Sequence, residues 1–244
     1  MATEAPRPAF YALSAGGWRD YVTLLHPPYT AWHLAYVVIG AALAPELRVG
    51  RLLPTLLAFF LAVGIAAHAL DELRGRPLGT AVPASVLAAL ATISLAGAAA
   101  IGIYGAATVN AWLAVFVLVG VFATVAYNLE LFGGLVHGDV AFALFWGAFP
   151  VLTAYFAATG TIRDEAVGGA LFALASSYAQ RRLSTPVRDL RRRVARVSGT
   201  IERRDGSVEP LDERTLLRPA EAALRTLAAA VVVLAVSLVM MHTA

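Results

Sequence analysis

The 244-residue chain contains no cysteine and no lysine, and only 14% of its residues are charged. The absence of cysteine excludes disulfide bonds, thiolate catalysis and cysteine-ligated metal sites. The absence of lysine excludes Schiff-base chemistry and a lysine-containing phosphate loop, and it makes all 19 basic side chains arginines. The low charge, the 59% of hydrophobic residues and the mean hydropathy of +0.71 are typical of a membrane protein.

Apolar runs long enough for membrane spans recur along the whole sequence. A helix needs roughly 20 mostly apolar residues to cross the hydrocarbon core, and isolated strands cannot satisfy their backbone groups in lipid. We therefore predict an all-α polytopic membrane protein with about seven transmembrane helices. The predicted spans are 29–45, 53–70, 82–104, 109–127, 140–158, 166–179 and 224–241.

The distribution of arginine predicts the orientation. If the N-terminus is cytoplasmic, sixteen arginines lie inside and three outside, as the positive-inside rule requires. We expect a multi-pass protein of the cell membrane with a cytoplasmic N-terminus. Membrane lipids explain the isoelectric point near 9.5, so no nucleic-acid partner is expected.

The sequence predicts three segments, namely a six-helix membrane core at 1–182, a basic cytoplasmic loop at 183–218 and a seventh span within 219–244. Pro186 is expected to follow a helix end. The alternating stretch 197–211 around Asp205-Gly206 predicts a short β-hairpin between the sixth and seventh spans. This loop is also a candidate contact surface for a protein partner.

In this topology the second, fourth and sixth spans end on the same side, and all three ends are polar. Ionisable residues at the hydrocarbon boundary usually face a cavity, a partner or water, so we expect a polar mouth there. The alternatives are ion pairs at the interface, such as Asp71 with Arg74, and arginines that only mark the membrane edge. The candidate site residues are His68, Asp71, Glu72, Arg74 and Arg76 after the second span, Tyr127, Asn128 and His137 after the fourth, and Tyr178, Arg181 and Arg182 after the sixth.

Four short motifs occur in a familiar order: His-Pro-Pro at 26–28, Arg-Pro-Leu-Gly-Thr at 76–80, Tyr-Asn at 127–128 and Gly-Asp at 138–139. In this order they resemble the UbiA family of intramembrane prenyltransferases, over about 25–182. The resemblance implies a helical bundle that transfers an isoprenoid chain from its diphosphate to an acceptor. In that family, aspartate-rich motifs at the ends of the second and sixth helices hold Mg²⁺ against the diphosphate.

The resemblance implies a role for each candidate residue. Asp71 and Glu72 would hold Mg²⁺, and they are the expected catalytic residues together with Tyr127 and Asn128. The expected substrate-binding residues are His68, Arg74, Arg76, His137, Tyr178, Arg181 and Arg182. The isoprenoid chain would lie among Phe59, Phe60, Phe116, Phe122, Phe142, Phe145, Trp146 and Phe149.

The sequence also departs from the family pattern. The first aspartate-rich motif is reduced to Asp71 and Glu72, no carboxylate follows the sixth span before Asp189, and about two helices are missing from the usual nine. Two functions follow as hypotheses. The first is binding of an isoprenoid diphosphate or polyprenyl lipid, with prenyl transfer as its extension, and the second is a non-catalytic subunit or scaffold of a membrane complex.

Overall fold

The long apolar runs form helices that alternate in direction along the chain. A computed structural model describes residues 7–242, which contain eight longer helices, a 3₁₀ turn at Phe132–Gly134 and one two-stranded sheet. The elements are α1 Trp18–Leu24, α2 Pro27–Ala42, α3 Val49–Gly75, α4 Ala84–Thr108, α5 Leu113–Asn128, α6 Asp139–Thr159, α7 Asp164–Arg193, β1 Gly199–Glu202, β2 Val208–Leu211 and α8 Glu213–Met240.

Four helices of the described chain, α3, α4, α6 and α8, are long and apolar enough to cross a membrane. Helices α2 and α5 have 16 residues each. At 1.5 Å per residue they span about 24 Å, less than the roughly 30 Å of a hydrocarbon core. Helix α7 has 30 residues but carries three arginines in its last turn alone. The structure thus supports a helical membrane protein, whereas the number of seven spans is not confirmed.

Helix α7 corrects the expectation that a helix ends before Pro186. It continues through that proline to Arg193. Proline lacks the N–H that would donate to the carbonyl four residues earlier. Pro186 lies on an exposed face, however, where water can donate a hydrogen bond to that carbonyl. The hydroxyl of Thr185 also donates to the Arg181 carbonyl at 2.8 Å. The helix therefore carries the arginines after Pro186 on the same rigid element as Arg181.

The predicted β-hairpin is confirmed. Strands β1 and β2 pair antiparallel, with Glu202 opposite Val208. Gly206 has a φ of 83°, a left-handed conformation that glycine adopts without strain. Arg203 and Glu209 form an ion pair across the hairpin at 2.7 Å. On which side of the membrane the hairpin lies stays a prediction.

The densest packing lies between α2, α6, α7 and α8. Trp32 and Tyr36 of α2 are fully buried there, against Val151 of α6 and Val231 of α8. Helix α2 approaches α6 so closely that a Cβ at Gly40 would clash with the Val151 carbonyl. Small residues at helix crossings allow such short separations. This half of the bundle packs against the helix ends at which polar side chains converge.

Candidate functional site

Polar side chains converge where α3, α5 and α7 end and where α2 and α6 begin. The sequence predicted such a convergence for the ends of the second, fourth and sixth spans. We call this group of half-buried and buried side chains the polar cluster. Its members are Tyr11, His26, His68, Asp71, Tyr127, His137, Arg181, Arg188 and Arg192.

Asp71 extends from the last turn of α3 into the polar cluster. The arginines whose charges act on its carboxylate are Arg192 and Arg188. Within residues 7–242, no hydrogen bond reaches this carboxylate, and the ion pair with Arg74, the alternative to a site, is not formed. Asp71 is therefore a half-buried anion that faces positive charge without a fixed partner.

Glu72, the next residue, points in a different direction because successive helical side chains diverge by about 100°. It is fully buried, and both of its oxygens accept hydrogen bonds from the loop that follows α3. Oε1 accepts from the backbone N–H and the hydroxyl of Thr80 at 2.8 and 2.9 Å, and Oε2 accepts from the N–H of Leu78 at 2.9 Å. Glu72 thus holds the α3–α4 loop in place.

Three arginines line the polar cluster along one face of α7. Arg181, Arg188 and Arg192 are separated by seven and four residues, which places them on the same side of a helix. Burial, followed by the neighbouring charges of Arg181 and Arg192, lowers the pKa of Arg188 to about 10. Within residues 7–242, the guanidinium of Arg188 donates only to Ser184 and Thr185 of its own helix, at 2.8 and 3.0 Å.

Arg181 is oriented by α6 and by the loop before it. Its Nε donates to Asp139 Oδ1 at 3.3 Å, and its Nη2 lies 3.4 Å from His137 Nε2. His137 Nδ1 donates to the Tyr127 carbonyl at 2.8 Å, because a carbonyl only accepts. Nε2 is therefore free to accept from Arg181. Above this network, the hydroxyl of Tyr127 is buried and has no hydrogen-bond partner in the described chain.

Two histidines close the opposite side of the polar cluster. The rings of His26 and His68 stack with centroids 4.1 Å apart, and the Tyr11 hydroxyl lies 2.7 Å from His26 Nδ1. Burial, followed by the charges of His68, Arg192 and Arg188, holds the pKa of His26 well below its usual range. His26 is therefore neutral at physiological pH.

The segment before α1 lies across the ends of α7 and α8 beside the polar cluster. Arg191 and Arg192 donate to the carbonyls of Arg7 and Pro8, at 3.2 and 3.4 Å. The guanidinium of Arg225 lies 4.8 Å from the centre of the Phe10 ring. These contacts fix the N-terminal segment over the cluster.

The other candidate residues lie outside the polar cluster. Arg74 pairs with Glu130 at 2.9 Å on the surface, and Arg76 donates to the carbonyls of Thr80 and Val82 inside the loop. Tyr178 is exposed. Asn128 donates to the Thr124 carbonyl of its own helix at 2.7 Å, and the largely exposed Arg182 lies 3.5 Å from Asp139.

An apolar groove of about 180 Å³ runs between α3, α4, α5 and α6. Five of the eight aromatic residues expected to hold an isoprenoid chain line it, and the others do not. The lining aromatics are Phe59, Phe116, Phe145, Trp146 and Phe149. The groove is open along part of its length, where Tyr104 is 71% exposed. Its volume resembles the roughly 150 Å³ cavity that accepts benzene in an engineered protein, so it fits a short stretch of hydrocarbon.

Tyr127 links the groove to the polar cluster. Its ring centroid lies 5.1 Å from that of Trp146, which lines the groove, and 4.4 Å from that of His137. Trp146 belongs to a π-helical segment of α6, Ala143–Ala148, and His33 Nδ1 lies 2.9 Å from its carbonyl. Helix α3 has a second π-helical segment, Phe60–Ala67, which contributes Val63 to the groove. Such segments occur frequently at functional sites.

The residues present do not fit the Mg²⁺ site that the resemblance implies. Glu72 directs both oxygens to the loop, while Asp71 faces the arginines, so the two carboxylates do not converge. Among residues 7–242, no three acidic, histidine or cysteine side chains form a metal-binding group. Comparisons with known protein families, with curated proteins and with solved structures found no match for the chain.

The sequence interpretation missed Arg188 and Arg192, because a run of arginines after a proline resembles a basic stretch on the membrane surface. If the predicted helix is continued through Pro186, both residues have the helical spacing that places them on the same face as Arg181. That spacing is the signal in the sequence. Tyr11 was missed as well, and no sequence pattern connects it to a site 60 residues further on.

Proposed function

We propose that the chain binds an isoprenoid phosphate, an isoprenoid diphosphate or a polyprenyl lipid within its helical bundle. The observation that carries this proposal is the contact of Tyr127 with both the aromatic groove and the polar cluster. A ligand that occupies both regions has an anionic head and a hydrocarbon chain. The ordered resemblance to the UbiA family supports the same class of ligand, on the cytoplasmic side of the cell membrane with the N-terminus inside.

The two regions divide the recognition of such a ligand. The arginines of α7 carry positive charge at the head, and planar guanidinium groups suit phosphate oxygens. The groove accepts only the first part of the chain, and the remainder leaves through the open side near Tyr104. Recognition of the first isoprene units, rather than of the full length, is therefore the expected basis of selectivity.

Prenyl transfer is the extension of this proposal, and a non-catalytic relative in a membrane complex is the second candidate. The hydrogen bonds that engage Glu72 favour the second candidate, because they remove one of the two carboxylates expected to hold a metal ion. The exposed hairpin, with Val208 61% accessible, offers a contact surface to a protein partner.

The groove is tested with two neighbouring alanines of α4. Ala99 lines the groove and Ala100 is exposed outside it. In the purified full-length protein, the larger side chain of Ala99→Phe should fill part of the groove and lower the affinity for isoprenyl diphosphates on the order of tenfold. Exclusion of two methylene groups of the ligand from the groove is enough for a change of that size. Ala100→Phe should bind as the wild type does. Equal affinities for all three proteins would refute occupation of the groove.

A parallel assay of diphosphate release separates the two candidates. Release that requires Mg²⁺ and disappears in Asp71→Ala would establish transfer or hydrolysis. Binding without release, together with a co-purifying membrane protein, would establish the non-catalytic function.

A further inference from the structure

We propose that Arg188 and Arg192, together with Arg181, bind the phosphate groups of the ligand directly, with no divalent cation between protein and phosphate. This inference rests on the proposed function for the lipid part of the ligand, but the anion site is argued from the polar cluster alone.

The polar cluster and its rim have more positive than negative charge. Four arginines, Arg181, Arg182, Arg188 and Arg192, face the two carboxylates of Asp71 and Asp139. Asp139 is shared by Arg181 and Arg182 at 3.3 and 3.5 Å. The surplus of two positive charges matches the charge of a phosphate monoester and about half of that of a diphosphate.

Arg188 and Arg192 differ from the adjacent arginines of α7 in having no carboxylate partner in the described part of the chain. Arg191 pairs with Glu221 at 2.6 Å, and Arg193 lies 3.7 Å from Asp189. Arg188 is also half-buried and lies near the like charges of Arg181 and Arg192. Repulsion between charges that are partly removed from water is costly unless an anion balances them. A bound phosphate removes this cost.

A neutral donor completes the site. The Tyr127 hydroxyl is buried, 4% of the residue being accessible, and no described residue accepts or donates a hydrogen bond to it. The side chains that act electrostatically on it include Arg181 and Arg188. Buried hydroxyl groups are normally paired, so this one is available to a phosphate oxygen beside the arginines.

The same geometry argues against a bridging cation. A diphosphate-bound Mg²⁺ needs carboxylate oxygens on its protein side. Asp71 supplies one carboxylate only, and the positive charges of Arg192 and Arg188 already act on it. An additional divalent cation would increase the positive charge that the phosphate is there to balance.

The experiment measures binding of inorganic diphosphate to the full-length protein in detergent, once with EDTA and once with Mg²⁺. We expect binding in EDTA, with Arg188→Gln and Arg192→Gln each lowering the affinity on the order of tenfold through lost charge-assisted hydrogen bonds. Arg193→Gln removes the same charge from the same helix at an exposed position and should stay within about twofold. Circular dichroism verifies that each variant is folded. If Arg188→Gln does not fold, Arg192→Gln alone tests the site.

Binding that requires Mg²⁺, or an equal loss in Arg193→Gln, would overturn the inference. A second arm replaces inorganic diphosphate by an isoprenyl diphosphate and separates the two proposals. If only inorganic diphosphate binds, the lipid proposal fails and the arginine site stands. If the isoprenyl diphosphate binds solely with Mg²⁺, the lipid proposal stands and the cation-free site fails.

Discussion

The end of α3 has two sides that treat adjacent carboxylates in opposite ways. On the loop side, Glu72 is fully buried and accepts three hydrogen bonds from Leu78 and Thr80. On the arginine side, Asp71 is half-buried, accepts none from the described chain and faces Arg188 and Arg192. The difference shows that the two members of one acidic motif serve separate purposes. One maintains the fold, and the other lies in the polar cluster, where we propose that an anion binds.

The largest effect that this comparison predicts is on stability. Glu72→Ala leaves two buried backbone N–H groups and one hydroxyl without acceptors, which should lower the free energy of unfolding by about 3 kcal/mol. Asp71→Ala breaks no hydrogen bond within residues 7–242 and should lower it by about 1 kcal/mol or less, through the lost attraction to Arg188 and Arg192. Thermal unfolding in detergent measures both, and equal losses in the two variants would abolish the distinction between the two sides.

Acidification should lower the free energy of unfolding through His26, which lies in the polar cluster beside the arginines. Burial keeps the pKa of His26 well below its usual range, so the folded protein holds this ring neutral while the unfolded chain protonates it near pH 6.5. The associated stability is complete above that pH and is lost as the pH falls. Between pH 7.5 and 5.5 the loss should be about 1 kcal/mol.

The control for this pH dependence is His26→Asn, which does not titrate and tolerates the left-handed backbone at φ 47°. Its stability should vary less with pH than that of the wild type. An unchanged dependence would show that other groups are responsible.

The smallest effect has the opposite sign. In the absence of an anion, Arg188→Gln relieves repulsion with Arg181 and Arg192 and should raise the free energy of unfolding by up to about 1 kcal/mol. The hydrogen bonds of Arg188 to Ser184 and Thr185 offset part of this gain. Unfolding followed with and without inorganic diphosphate tests the prediction. A variant less stable than the wild type without the anion would mean that Arg188 is a structural residue.

Much of the fold follows from local patterns in the sequence. The apolar runs locate the seven long helices of the described chain, and Asp205-Gly206 locates the hairpin turn. The beginning of α8 could not be located by apolarity, since Arg214, Arg218 and Pro219 lie in its first turns. Its signal is the cap, in which Asp212 accepts from the N–H of Thr215 at 2.8 Å.

The sequence predicts only those parts of the candidate site that follow from the direction of the helices. Alternation of the helices brings the ends of α3, α5 and α7 together, so five of the predicted residues lie in one cluster: His68, Asp71, Tyr127, His137 and Arg181. The role of Glu72 depends on backbone groups that it meets only when the α3–α4 loop folds back. No residue pattern reveals such a partner, so the pairing of Glu72 with Asp71 as metal ligands stays a prediction that the geometry does not support.

The N-terminal segment has a consequence for how the protein is made. Its hydrogen bonds join Arg7 and Pro8 to arginines 184 residues further along the chain, and Phe10 contacts Arg225 of the last helix. Synthesis proceeds from the N-terminus, so Arg7, Pro8 and Phe10 leave the ribosome long before their partners in α7 and α8. The core of α2 waits likewise for Val231 of α8. A nascent chain therefore completes these contacts only when α8 has folded against them, and we expect a product that stops before α8 to lose binding of the proposed ligand.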